Sequence, residues 1–231
     1  MKNLTFCSLL AASVIYTGCT VKERGGLSKG SYLSKAYIKL LIDTRSPRIA
    51  GDSIGAEFFT EIASDSNSHL TILMGDIHST VGFFRIDDSG RVIYPEEYAE
   101  YSGTIVRATS PTTFTLITPA HSPVDYVFVG DGSRWAGTTL LKGDYVDSSG
   151  SMFTFSDSVF SLPTGEKYIY RVDLDCWGGP PQCDCLLLDR RAYHFFFSTD
   201  TLKIFEYYGR DDSSIRETPK WVLMHTQRRR T

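Results

Sequence analysis

Lys167-Tyr168-Ile169-Tyr170-Arg171-Val172-Asp173-Leu174-Asp175-Cys176 alternates with a period of two. Tyr168, Tyr170, Val172, Leu174 and Cys176 fall on one face of an extended chain. Gly178-Gly179-Pro180-Pro181 then ends the strand, because proline lacks the ladder N–H and glycine has no side chain to pack. Cys183 and Cys185 share a face of the segment that follows. The reading is a β-hairpin around a glycine-proline loop.

The same signature recurs along the chain. Short segments rich in Val, Ile, Thr, Tyr and Phe cover 69–74, 81–86, 91–94, 104–108, 113–118 and 125–129. Others cover 137–141, 151–155, 193–197, 202–208 and 221–226. Asp88-Ser89-Gly90, Gly130-Asp131-Gly132, Ser149-Gly150 and Pro163-Thr164-Gly165 supply reversals. Such even spacing predicts an all-β fold, mainly an antiparallel sandwich or barrel, with one or two short helices. Residues 53–63 carry Ile54, Phe58, Phe59 and Ile62 near helical spacing behind Ser53 as an N-cap. Residues 34–43 read equally as helix or strand. No internal repeat stands out. The expected division is 35–130 and 131–231, two β regions that form either one domain or two. Gly132-Ser133-Arg134-Trp135 before a run of hairpins faintly resembles the Gly-x-Trp start of lipocalin-like barrels, one residue longer than that spacing. A core tryptophan after a tight turn is the plainer reading.

The chain opens Met-Lys-Asn-Leu-Thr-Phe-Cys-Ser-Leu-Leu-Ala-Ala-Ser-Val-Ile-Tyr-Thr-Gly-Cys-Thr. Lys2 is a positive start, residues 4–16 are an apolar run of secretory length, and small residues lead to Cys19. Tyr16-Thr17-Gly18-Cys19 resembles the bacterial lipobox, with Tyr16 where that pattern prefers Leu. An ordinary secretory leader with a chance cysteine is the alternative. The resemblance implies cleavage after residue 18, a lipid on the Cys19 sulfur and acylation of its new amino group. At about 0.8 kcal/mol per buried methylene, two or three acyl chains form a stable anchor. The resemblance further places the protein in the bacterial cell envelope. Thr20, where an Asp would imply inner-membrane retention, favours the outer membrane. Residues 19–34 are polar, glycine-bearing and aperiodic, and read as a flexible tether reaching about 20 Å.

Beyond the leader the chain carries 23 basic and 27 acidic side chains, a net charge of −4. That balance argues against a nucleic-acid partner, which selects a basic face. Hydrophobic residues at 42% and aromatic ones at 13% suit a packed core and not disorder. The expected partner is the membrane, through the N-terminal lipid, with any protein or small-ligand partner unspecified.

Three cysteines remain after Cys19. Cysteines flanking a hairpin loop can face each other at bonding distance, and export makes a disulfide the expectation. Cys176–Cys183 is favoured over Cys176–Cys185, and the small closed loop would contribute roughly 2.5 kcal/mol. A metal site built from Cys176, Cys183, Cys185, Asp173, Asp175 and His194 is the rival. Its spacing matches no zinc signature, so no metal and no cofactor are expected.

Gly51-Asp52-Ser53-Ile54-Gly55 fits Gly-x-Ser-x-Gly, the nucleophile elbow, and resembles the start of Gly-Asp-Ser-Leu lipases. The resemblance implies Ser53 as a nucleophile. Only residues 19–50 precede it, too few for the strands before an α/β-hydrolase elbow. None of the five histidines has an aspartate three residues earlier, as that lipase family requires. Tyr193-His194-Phe195-Phe196-Phe197 reads as a buried strand, and Arg228-Arg229-Arg230 as a solvated tail. Glu96, Glu97 and Glu100 lack a partner acid at a glycosidase spacing. The expectation is a lipid-anchored binding or structural β protein without a catalytic site. The alternatives are a carrier of a small apolar ligand in a barrel cavity and a serine esterase using Ser53.

Overall fold

A computed structural model describes residues 26–54, 58–75, 80–119, 121–174, 184–206 and 218–226. Their strands form two antiparallel sheets of eight. The first contains β1 (Gly30–Ser34), β2 (Phe59–Ser64), β3 (Leu70–Gly75), β4 (Thr80–Ile86), β5 (Val92–Ile93), β6 (Ile105–Ser110), β7 (Thr113–Ile117) and β8 (Val124–Gly130). Its spatial order is β5-β4-β3-β2-β1-β8-β7-β6. The two edges meet. Arg91 bridges Ile105, the Val92 N–H donates to the Thr104 carbonyl at 3.0 Å, and the Val106 N–H donates to the Gly90 carbonyl at 2.7 Å. The sheet is thus curled almost into a barrel, which leaves little open edge.

The second sheet is a closed barrel in sequence order: β9 (Gly143–Val146), β10 (Met152–Phe155), β11 (Val159–Ser161), β12 (Lys167–Asp173), β13 (Asp184–Leu188), β14 (Arg191–Ser198), β15 (Thr201–Glu206) and β16 (Trp221–His225). β16 returns to pair with β9 through Met224–Val146 and His225–Tyr145. Among the described residues three α-helices accompany the sheets: α1 (Lys35–Thr44) and α2 (Pro47–Ile54) between β1 and β2, and α3 (Gly132–Leu141) between the sheets. The all-β antiparallel expectation holds, with one helix more than the sequence suggested and a 3-10 segment at Glu96–Tyr101.

Two hairpin turns use the same chemistry. The Asp87 carboxylate accepts the Ser89 and Arg91 N–H groups at 2.8 and 2.9 Å, and the Asp147 carboxylate accepts those of Ser149 and Ser151, both at 2.9 Å. Gly90 and Gly150 follow in the left-handed region at φ +83° and +80°. Serine hydroxyls and backbone N–H donors hold both carboxyls below the usual range.

Each sheet encloses a core. Tyr32, Ile62, Ile72, Phe84, Val106, Phe114 and Tyr126 fill the first. Phe155, Phe160, Tyr170, Val172, Leu186, Phe195 and Ile204 fill the second. Leu33, Tyr37, Leu41, Ala50 and Phe58, from before and around α1 and α2, belong to this second core, as do Ala136, Leu140 and Leu141 of α3. The helices join the two halves across residue 130.

Several expectations are corrected. Residues 30–34 are strand β1, not tether. Tyr32 and Leu33 are both fully buried, one in each core, so the strand is covered on both faces and shows no alternation. Residues 35–44 resolve as helix, with the Ser34 hydroxyl accepting the Tyr37 N–H at 3.2 Å. The helix expected from Ser53 begins at Pro47 instead and ends at Ile54, and residues 59–64 are strand. Residues 137–141 belong to α3, capped by the Asp131 carboxylate on the Arg134 N–H at 3.0 Å. Trp135 therefore sits on a helix and does not open a hairpin.

Candidate functional site

Ser53 lies in the last turn of α2 and is exposed. Its hydroxyl donates to the Ile49 carbonyl at 2.7 Å, four residues back on its own helix. A helix rather than a strand precedes it, so the strand-to-helix turn of a nucleophile elbow is absent there. Gly55 lies outside the described residues. No described histidine makes a hydrogen bond with Ser53.

Cys176 and Cys183, and with them the favoured disulfide, lie outside the described residues, as do Cys19 and the lipobox. Cys185 is described, buried and free. Its strand register sets it beside Asp173 on β12 and His194 on β14. The adjacent interior pairs are Val172–Leu186 and Tyr170–Leu188. Cys185 therefore faces away from Tyr170 and Val172. His194 is buried at 3% exposure and pairs next with Phe205. No group of three or more potential metal ligands gathers among the described residues.

A buried polar joint forms where α1 and α2 cover one mouth of the closed barrel. Asp184, the first residue of β13, is 2% exposed. Its Oδ1 accepts the Arg48 N–H at 2.8 Å and the Ser46 hydroxyl at 3.1 Å. The Ser46 Oγ in turn accepts the Ile49 N–H at 3.1 Å. A barrel carboxylate and a serine thus cap the N-terminus of α2, whose orphan N–H groups and dipole favour negative charge. Burial nevertheless pushes the Asp184 carboxyl up to about 6; the Arg48 and Ser46 contacts pull against that shift, and the Asp52 charge adds to it. Tyr37 stacks on Phe58 at 4.1 Å, and its buried hydroxyl has no hydrogen-bond partner among the described residues. Burial, and next the Asp184 charge, raise this phenol far above its ordinary range. Arg45 completes the joint. Its guanidinium lies 3.4 Å from the Phe197 ring centre and donates to the Thr199 carbonyl at 3.2 Å.

A surface pocket of about 290 Å³ opens between the first turn of α3, the outer face of β12 and the turn after β13. Asp131, Arg134, Ile169, Tyr170, Arg171, Asp189 and Arg190 line it. Sequence reading singled out neither this pocket nor the joint. The arginines are scattered through the sequence and carry no motif. The joint had one visible signal, Ser46-Pro47, a helix N-cap followed by proline at the first helical position.

Among the described residues no helix is long and apolar enough to cross a membrane. No family model, curated protein or solved structure matches the chain.

Proposed function

We propose that this chain is a lipid-anchored cell-envelope protein that binds a partner or ligand on its outer surface and carries out no chemistry of its own. The carrying observation is a stack of buried rings inside the barrel. Phe155 packs against Phe160 at 4.1 Å and against Tyr170 at 5.0 Å between ring centres, and all three are at most 2% exposed. A barrel of eight strands is just wide enough for such side chains. Binding then falls to outer faces and turns. The closed eight-stranded meander also suits a carrier of a small apolar ligand, but the ring stack occupies part of the interior such a ligand would use. The Ser53 hydrogen bond along its own helix weighs against the esterase. Lipid anchoring rests on the run ending at Cys19. The folded body begins by Leu27, which is buried, so residues 20–26 would hold it within about 25 Å of the bilayer.

The test is mass spectrometry of the N-terminal peptide from membrane-expressed protein. The expected species starts at Cys19 with acyl chains attached. Cys19→Ala should shift the protein out of the membrane fraction. An unmodified N-terminus at another residue overturns the anchoring.

A further inference from the structure

We propose that the pocket formed by Arg134, Arg171 and Arg190 is a binding site for a compact oxyanion, a phosphate monoester or a polyphosphate. The inference extends the reading of a surface-binding protein and gives that surface a ligand class.

Three exposed arginines, from α3, β12 and the turn after β13, line one pocket. The Asp131 Oδ1 accepts the Arg134 backbone N–H, and the Asp189 Oδ1 accepts the Ile169 N–H at 2.8 Å. Both carboxylates thus accept backbone N–H groups. The lining keeps one net positive charge in a chain whose overall charge is negative. Four lysines elsewhere meet carboxylates directly: Lys35 with Asp125, Lys39 with Asp43, Lys142 with Asp157 and Lys220 with Glu206. The start of α3 is already capped by Asp131, so the guanidiniums, not the helix end, are the ligating groups.

Arginine presents a planar fork of donors that matches phosphate and carboxylate oxygens two at a time. Three forks suit a group with three or more outer oxygens. Ile169, 63% exposed, forms an apolar wall beside them, which suits carbon attached to the anion. The volume admits a phosphate with a small organic group.

The experiment is titration calorimetry of the full-length protein in detergent with sodium pyrophosphate at low ionic strength. A second arm uses vesicles of phosphatidylglycerol against vesicles of phosphatidylcholine. Saturable pyrophosphate binding is expected, weakened about tenfold, or about 1.4 kcal/mol, by Arg134→Gln or Arg171→Gln, since a charge-assisted hydrogen bond is removed in each. Arg107→Gln on β6 lies outside the pocket and should change nothing. Competition between pyrophosphate and phosphatidylglycerol vesicles would identify the source as a lipid headgroup, and binding without competition a free anion. No saturable binding at millimolar pyrophosphate, or equal weakening by Arg107→Gln, overturns the site. The mass of the N-terminal peptide is read separately, so loss of the site leaves the anchoring result standing.

Discussion

Asp184 enters the barrel mouth almost fully buried, where burial disfavours its charged form more than its hydrogen bonds restore it. Its folded pKa of about 6 lies above the 3.8 of an ordinary aspartate. The folded protein therefore binds more protons than the unfolded chain between those values. Stability from this group is fully present below pH 3.8 and is lost as pH rises through 6. The difference corresponds to roughly 2–3 kcal/mol at about 1.36 kcal/mol per unit. Asp184→Asn keeps an oxygen to accept the Arg48 N–H and the Ser46 hydroxyl but cannot ionise. Urea unfolding at pH 4 and pH 7 should show the variant gaining on the parent by about that amount at the higher pH. A difference between the two proteins that stays flat with pH would refute the assignment. This residue also shows a limit of sequence reading. Cys183-Asp184-Cys185 draws attention to the thiols, whereas the aspartate between them reaches into a buried joint through contacts over 130 positions away in the chain.

At the scale of elements, strands were legible and the helix over 137–141 was not. Gly137-Thr138-Thr139 is a poor helix former, since glycine and β-branched threonine both lower helix propensity. Packing overrides it. Ala136, Gly137, Leu140 and Leu141 form the buried stripe of α3. A Cβ on Gly137 would meet the Tyr170 ring at 3.0 Å, so glycine there lets the helix lie against β12. Strand β1 was hidden for the opposite reason, being covered on both faces and lacking a period to detect. The seam that closes the first sheet gives a prediction at this scale. Gly90 sits at φ +83°, and a Cβ there would fall 2.4 Å from the Val106 carbonyl oxygen, beside the hydrogen bond joining β5 to β6. Gly90→Ala should destabilise by about 1–3 kcal/mol, from the left-handed conformation and the backbone clash together. Thermal unfolding measures this. Gly150→Ala is the control, because its turn has the same φ but nothing within 4 Å of the added Cβ, so its loss should be the smaller.

At the scale of the whole molecule, the sequence showed a break near residue 130 but not what crosses it. The chain does pass from one sheet to the other there, yet Leu33, Tyr37, Leu41 and Phe58 from the first half pack in the core of the second. Such contacts join residues far apart in the chain, and no local pattern reports them. Their energetic consequence is coupling. Tyr37 is fully buried against Phe58. Its removal would open a cavity at the joint and cost about 3–5 kcal/mol, as for other large aromatics. The tryptophans make the coupling measurable, because Trp135, Trp177 and Trp221 all lie in the second half of the chain. Tryptophan fluorescence follows that half alone, while far-ultraviolet circular dichroism follows both sheets. If the shared core couples them, the two signals should trace one denaturant transition with one midpoint. Tyr37→Ala, although it alters the first half, should then lower the fluorescence midpoint and the dichroism midpoint together. Separate transitions in the parent protein, or a fluorescence midpoint unmoved by Tyr37→Ala, would mean that the barrels fold independently and that the joint only holds them side by side.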